Sequence, residues 1–128
     1  MKSPKLCWAD TGLALHLSAK TEPGGMHFEN MAAHDLIAWH DTHLDPPPIL
    51  YWRTTTREEV DFVIEAGGRL LPIEVEAPER VRPANARRFR PFRTEYSDRS
   101  LRSVLPNRGE GMYWLSDHAL AMTRCRVV

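Results

Sequence analysis

The chain has 128 residues, 42% apolar and 27% charged, with 17 basic and 17 acidic side chains that cancel, an ordinary composition for one folded domain spanning residues 1–128. No stretch approaches the ~20 apolar residues of a membrane span, and Met1-Lys2-Ser3-Pro4 leads into no apolar run, so neither a membrane protein nor a secretory leader is expected. Cys7 and Cys125 are the only cysteines and form no C-x-x-C pair; this excludes a disulfide scaffold and a zinc ribbon and leaves a cytoplasmic location as the expectation.

In chain order, Asp10 is suited to cap a short helix through Leu13, Leu15 and Leu17. A longer helix from Met26 to Asp41 carries Phe28, Met31, Ala32, Leu36 and Trp39 at spacings of three and four, one apolar face. Pro46-Pro47-Pro48 ends it. Ile49 to Arg53, Glu59 to Glu65 and Arg69 to Glu76 read as strands. Gly67-Gly68 between the last two is a hairpin signal, because a two-residue turn needs φ > 0. A second main helix starts at Pro83 and runs through Arg87, Arg88, Phe89 and Phe92 toward Tyr96, with Pro91 kinking or ending it. Leu101 to Leu105 and Gly111 to Leu115 are strand candidates, and Asp117 to Met122 reads as a last short helix. Trp8, Trp39, Trp52 and Trp114 are expected in the core.

Charge is unevenly placed along the chain. From Glu22 to Glu79 there are twelve acids against three arginines; from Arg80 to Arg108 there are nine arginines against two acids. Arginine suits bidentate phosphate contact, so Arg87, Arg88, Arg90 and Arg93 on the second helix are candidates for a phosphate-bearing groove and DNA a candidate partner. The other reading is that the two halves pair with each other on folding.

With Gly67-Gly68 as turn residues, paired positions put Asp61 opposite Glu74 and Glu59 opposite Glu76. Val60, Phe62 and Ile64 then face Val75, Ile73 and Leu71, giving one apolar face and one acidic face. Two charges about 5 Å apart repel by roughly 3 kcal/mol at an effective dielectric near 20, so water, arginines, protonation or a divalent cation must relieve them. One reading is a carboxylate site for Mg²⁺ or Mn²⁺, and the other is a solvated, salt-screened sheet face. His34, His40 and His43 with Asp35, Asp41 and Asp45 fit no tight ligand spacing and read as helix-end surface. Ser116-Asp117-His118 has nucleophile-like residue types, but adjacency in sequence does not make a triad.

Several segments together carry a resemblance. Pro4-Lys5-Leu6-Cys7-Trp8-Ala9-Asp10-Thr11-Gly12-Leu13, then Phe28-Glu29-Asn30, Tyr51-Trp52-Arg53-Thr54, and Glu59 to Glu65 with Leu71 to Glu76, stand in the order found in a prokaryotic domain of unknown function that follows an AAA+ ATPase module. That family resembles the PD-(D/E)XK nuclease fold. The implied class is α/β, a mixed four- to five-stranded sheet with two main flanking helices. The resemblance implies Asp61, Glu74 and Glu29 as metal ligands for Mg²⁺ or Mn²⁺, and Asp61, Glu74 and Glu76 as the catalytic positions. Glu76 stands where the pattern has lysine, and a glutamate cannot stabilise charge at an attacked phosphate; some restriction endonucleases nevertheless carry a carboxylate there. No G-x-x-x-x-G-K-[ST] run occurs, so a P-loop ATPase is not in this stretch, which reads as a fragment or a stand-alone relative of the C-terminal part. The implied function is an accessory domain acting on or binding nucleic acid. The alternative is a non-catalytic module that keeps the fold and docks an ATPase module or another protein.

Overall fold

The computed structural model describes residues 5–123; Cys125 and the opening residues Met1 to Pro4 lie outside them. Asp10 caps as its chemistry suggests, accepting from the Leu13 N–H at 2.7 Å to start α1 (Thr11–Leu17). Helix α2 (Gly25–His40) follows the Pro23-Gly24 loop, and its first turn is closed by the Gly24 N–H donating to His27 Nδ1 at 3.1 Å. Its sheet-facing stripe is Ala32, Ala33 and Leu36, with Trp39 alongside; Phe28 and Met31 are only half-buried. The stripe is therefore rotated from the expected one, with Ala33 in it and Phe28 and Met31 at its border.

Six strands form one mixed sheet in the order β1-β2-β3-β4-β6-β5. Strands β1 (Ile49–Arg53), β2 (Glu59–Ala66) and β3 (Arg69–Ile73) make an antiparallel meander. β4 (Ser103–Asn107) runs parallel to β3 and to β6 (Ala119–Thr123), while β5 (Tyr113–Ser116) pairs antiparallel with β6 at the edge. Mixed α/β is thus met, with one strand more than the four or five expected. The extra strand comes from residues read as a terminal helix. Asp117-His118 instead turns the chain, and Ala119 and Ala121 are buried as β6 pairs with β4, so tertiary pairing overrides the helix propensity of Ala, Leu and Met.

The β2–β3 register follows the glycine turn: Ala66 pairs with Arg69 and Phe62 with Ile73, and Gly67 and Gly68 have φ of 56° and 75°. The expected single wet face is corrected. α2 covers Phe62, Ile64 and Ile73, while Val60, Val63 and Leu70 join Trp52, Phe89, Phe92 and Leu105 on the opposite side. Val60 changes side because β2 spends one residue more than β1 between the Leu50–Val63 and Trp52–Val60 pairs, a bulge that contains Asp61 and Phe62. The segment after Pro83 is a 3-10 helix (Asn85–Phe89) followed by α3 (Arg90–Glu95). Pro91 lies in the first turn of α3, where its missing N–H does no harm, and so starts a helix instead of breaking one. Of the tryptophans, Trp52 is buried, whereas Trp8 and Trp114 are over half exposed; Trp114 sits on edge strand β5 under the Arg102 guanidinium.

Candidate functional site

Asp61, Glu74, Glu76 and Glu29 converge at the bulged end of the hairpin. The bulge presents Asp61 to the chain just beyond β3: the Val75 N–H donates to Asp61 Oδ2 at 2.9 Å, and the Asp61 N–H points to Glu74 Oε2 at 3.4 Å. Past Ile73 the chain keeps running beside β4, with the Glu74 and Glu76 N–H groups donating to Val104 O (3.1 Å) and Pro106 O (2.8 Å). Asp61, Glu74 and Glu76 are all more than 90% buried. Glu59 is not part of the cluster; it is exposed and lies 3.8 Å from Arg53.

Two cations divide the four acids. The Lys5 ammonium lies 2.5 Å from Glu29 Oε1 and 3.1 Å from Asp61 Oδ1, above the Phe62 ring. Its segment is tied to α2 by paired bonds between Asn30 and the Trp8 backbone, 2.7 Å from the Trp8 N–H to Oδ1 and 3.0 Å from Nδ2 to the Trp8 carbonyl. Arg88 lies 2.9 Å from Glu74 Oε1 and 4.0 Å from Glu76 Oε1, and Asn85 Nδ2 donates to Glu76 Oε1 at 2.8 Å.

The electrostatics follow. Burial, then the neighbouring Asp61 charge, push Glu74 from its ordinary value up to about 7, against the opposing pull of Arg88. Burial also raises Glu29 despite Lys5. Burial opposes charge on Lys5 and Arg88, but their carboxylate partners prevail and hold both above their ordinary values.

Lys5 stands between Glu29 and Asp61, two of the three carboxylates that the resemblance assigns to Mg²⁺ or Mn²⁺. Among the described residues no group of three or more His, Cys, Asp or Glu is placed to hold a metal. The histidines of α2 and of the turn after it have other partners: His34 Nε2 lies 2.6 Å from the Trp8 carbonyl, His40 Nδ1 3.0 Å from Asp41 Oδ1 and His43 Nδ1 2.9 Å from the Trp39 carbonyl. Of the four candidate arginines, Arg88 belongs to the cluster and Arg87 lines the groove beside it. Arg90 and Arg93 make no ion pair among the described residues and do not line that groove. Sequence reasoning gave no role to Lys5 or Asn85. The lysine was visible in the opening motif, but its partner Asp61 is 56 positions away.

Among the described residues no helix is long and apolar enough to cross a membrane. No curated protein and no solved structure matches the chain. A family model described as Domain of unknown function (DUF4143) matches residues 24–125. That match covers most of the chain, including the hairpin, Glu29 and Arg88, and the chain belongs to the DUF4143 family.

Proposed function

We propose that this chain is an accessory module of an AAA-type ATPase, nuclease-like of the PD-(D/E)XK kind in layout, that binds nucleic acid without cleaving it. DUF4143 domains are often found at the C-termini of AAA-type ATPases, which supports the first part. The observation that argues against cleavage is that both cations at the four acids are already engaged, Lys5 by Glu29 and Asp61 and Arg88 by Glu74 and Glu76. Hydrolysis at a phosphate needs either a metal or a positioned cation free to meet the developing charge. Here both cations are engaged, and Glu76 adds negative charge where the resembling pattern has lysine.

The test is cleavage of plasmid and single-stranded DNA with Mg²⁺ and Mn²⁺ by the natural chain, Glu76→Lys and Asp61→Asn, beside binding measured at several salt concentrations. The expected result is no cleavage by the natural chain and a DNA affinity that falls steeply with salt. Strong cleavage by the natural chain, abolished in Asp61→Asn, overturns the reading and makes the domain a metal-dependent nuclease.

One observation favours the alternative of a protein-interaction module. Leu6, Trp8, Leu13, Leu17 and Met26 are all more than half exposed around α1 and the start of α2. Apolar side chains gathered in this way suit docking of the ATPase module. Leu17→Glu and Met26→Glu should then abolish binding to an ATPase module supplied in trans and leave DNA affinity unchanged.

A further inference from the structure

Beside Glu74, between the β1–β2 turn and the 3-10 helix, lies a groove of about 450 Å³, within the range of about 300–1,000 Å³ usual for small-molecule sites. Its acids are engaged: Glu58 accepts from the Thr56 hydroxyl at 3.2 Å, Glu59 faces Arg53, and Glu74 is held by Arg88. Its other two arginines are not. Arg57 comes from the β1–β2 turn and Arg87 from the 3-10 helix, and among the described residues neither guanidinium has an ion pair or hydrogen bond.

Arg57 is also held in place. Its φ is 70°, in the left-handed region where Gly or Asn is usual, and the turn that imposes this is closed by three bonds. The Thr54 N–H donates to Glu58 O at 2.8 Å, the Arg57 N–H to Thr54 O at 3.2 Å, and the Glu58 N–H to Thr54 Oγ1 at 3.0 Å. The turn holds the Arg57 backbone in a conformation unusual for a non-glycine residue, at the rim of the groove that its side chain lines. Three arginines stand against three carboxylates, and the raised Glu74 tips the balance positive near neutral pH. Ala84 and Pro91 supply an apolar surface between them.

We propose that this groove takes a nucleotide unit, its phosphate gripped between Arg57 and Arg87, its base and sugar against Pro91 and Ala84 with donors toward Glu58 and Glu59. Guanidinium forks match phosphate oxygens bidentately, and the free carboxylate lone pairs accept from amino and hydroxyl groups. The inference deepens the nucleic-acid reading and rests on it. The shared chemistry is a phosphorylated nucleotide, supplied by a strand or by a free mononucleotide.

The experiment is fluorescence anisotropy of the full chain with a labelled single-stranded oligothymidylate carrying a 5′-phosphate, its unphosphorylated twin, and AMP as competitor. Arg57→Gln and Arg87→Gln should each weaken binding about tenfold. Arg69→Gln, at the far end of the hairpin, should change it less than about twofold. Where Arg57→Gln and Arg87→Gln both weaken binding, which supports the groove, displacement by AMP assigns it to a free nucleotide and displacement by unlabelled oligomer but not by AMP assigns it to a strand. Both key side chains are exposed and without internal partners, so unchanged melting temperatures separate lost binding from lost folding. No binding of any probe, or Arg69→Gln weakening it as much as Arg57→Gln, overturns the proposal. Oligomer binding that survives both Arg57→Gln and Arg87→Gln overturns the groove and leaves the nucleic-acid reading standing, whereas no binding of any probe overturns both, so the two failures are distinguishable.

Discussion

Lys5 and Asp61 are 56 positions apart in the chain and 3.1 Å apart in space, Nζ to Oδ1. The same ammonium meets Glu29, and an ammonium has three donors and no acceptor, so it serves the two carboxylates as an internal counter-ion. It is half-buried, and the Asn30–Trp8 bonds fix its segment on α2. An ammonium there and a divalent cation exclude each other.

Lys5→Met should therefore expose the carboxylate pair. Without added metal the variant should lose about 1–2 kcal/mol, below the full effect of breaking a buried pair because the site is partly open to water. Mn²⁺ should restore part of the loss in Lys5→Met but not in Lys5→Met/Asp61→Asn, and should leave the natural chain's melting temperature unchanged. A rise in the natural chain that vanishes in Asp61→Asn would show that metal displaces Lys5 unaided.

Glu74 sets a pH dependence whose sign is fixed by the direction of its shift. Its value is raised to about 7 in the folded chain, so the folded state holds the proton more tightly than the unfolded one. The contribution to stability is complete below the ordinary value of 4.5 and lost as pH rises through about 7. Glu74→Gln keeps a neutral group at every pH, and at about pH 8 it should be more stable than the natural chain by about 2 kcal/mol. Arg88 loses a partner but is 61% exposed, so that loss is small. Urea melts at about pH 5 and pH 8 check this, and parallel loss of stability in both proteins would rule out Glu74 as the source.

The hairpin was legible because two independent signals coincide, the Gly67-Gly68 turn and the period of two in both strands. α2 was legible from its length and its spacing of three and four. The two-sided burial of β2 was also written in the chain, since Val60-Asp61-Phe62-Val63-Ile64 has almost no polar alternate, the pattern of a strand covered on both faces. The hairpin register masks it, because that register sets Asp61 against Glu74 and Glu59 against Glu76 as if on one polar face. The bulge at Asp61 depends on the β1 register, which no local pattern encodes. Neither does the chain announce that Lys5 and Arg88 are the two cations, because both contacts close long loops across the fold.

Gly109 is a close-approach position. A Cβ there would run into the carbonyl oxygen of Glu79 and crowd Asn107 Oδ1, which accepts from the Gly109 N–H at 2.8 Å. The carbonyl is backbone and cannot swing aside, so Gly109→Ala should cost about 1–3 kcal/mol. Gly111→Ala is the contrast: its added carbon meets only Tyr113 at an ordinary 3.8 Å, and the change should be within about 1 kcal/mol of neutral. Equal melting temperatures for the two variants would refute the close approach.

Glu76 tests whether the departure from the resembling pattern is structural as well as chemical. It is buried, accepts from Asn85 Nδ2 at 2.8 Å and lies 4.0 Å from Arg88. Glu76→Gln keeps an oxygen for Asn85 and removes one charge from an acidic cluster, so its stability should change by less than about 1 kcal/mol. Glu76→Lys supplies the cation of the nuclease pattern but leaves the Asn85 amide without its acceptor and brings an ammonium toward Arg88. It should lose about 1–3 kcal/mol for those reasons. The new ammonium also competes with Arg88 for Glu74, so the pH dependence assigned to Glu74 should shift to lower pH in this variant. Comparing denaturant midpoints of the three proteins across about pH 5 to 8 separates these effects. If Glu76→Lys were as stable as the natural chain, with an unmoved pH profile, Asn85 and Arg88 would not be holding Glu76 as described.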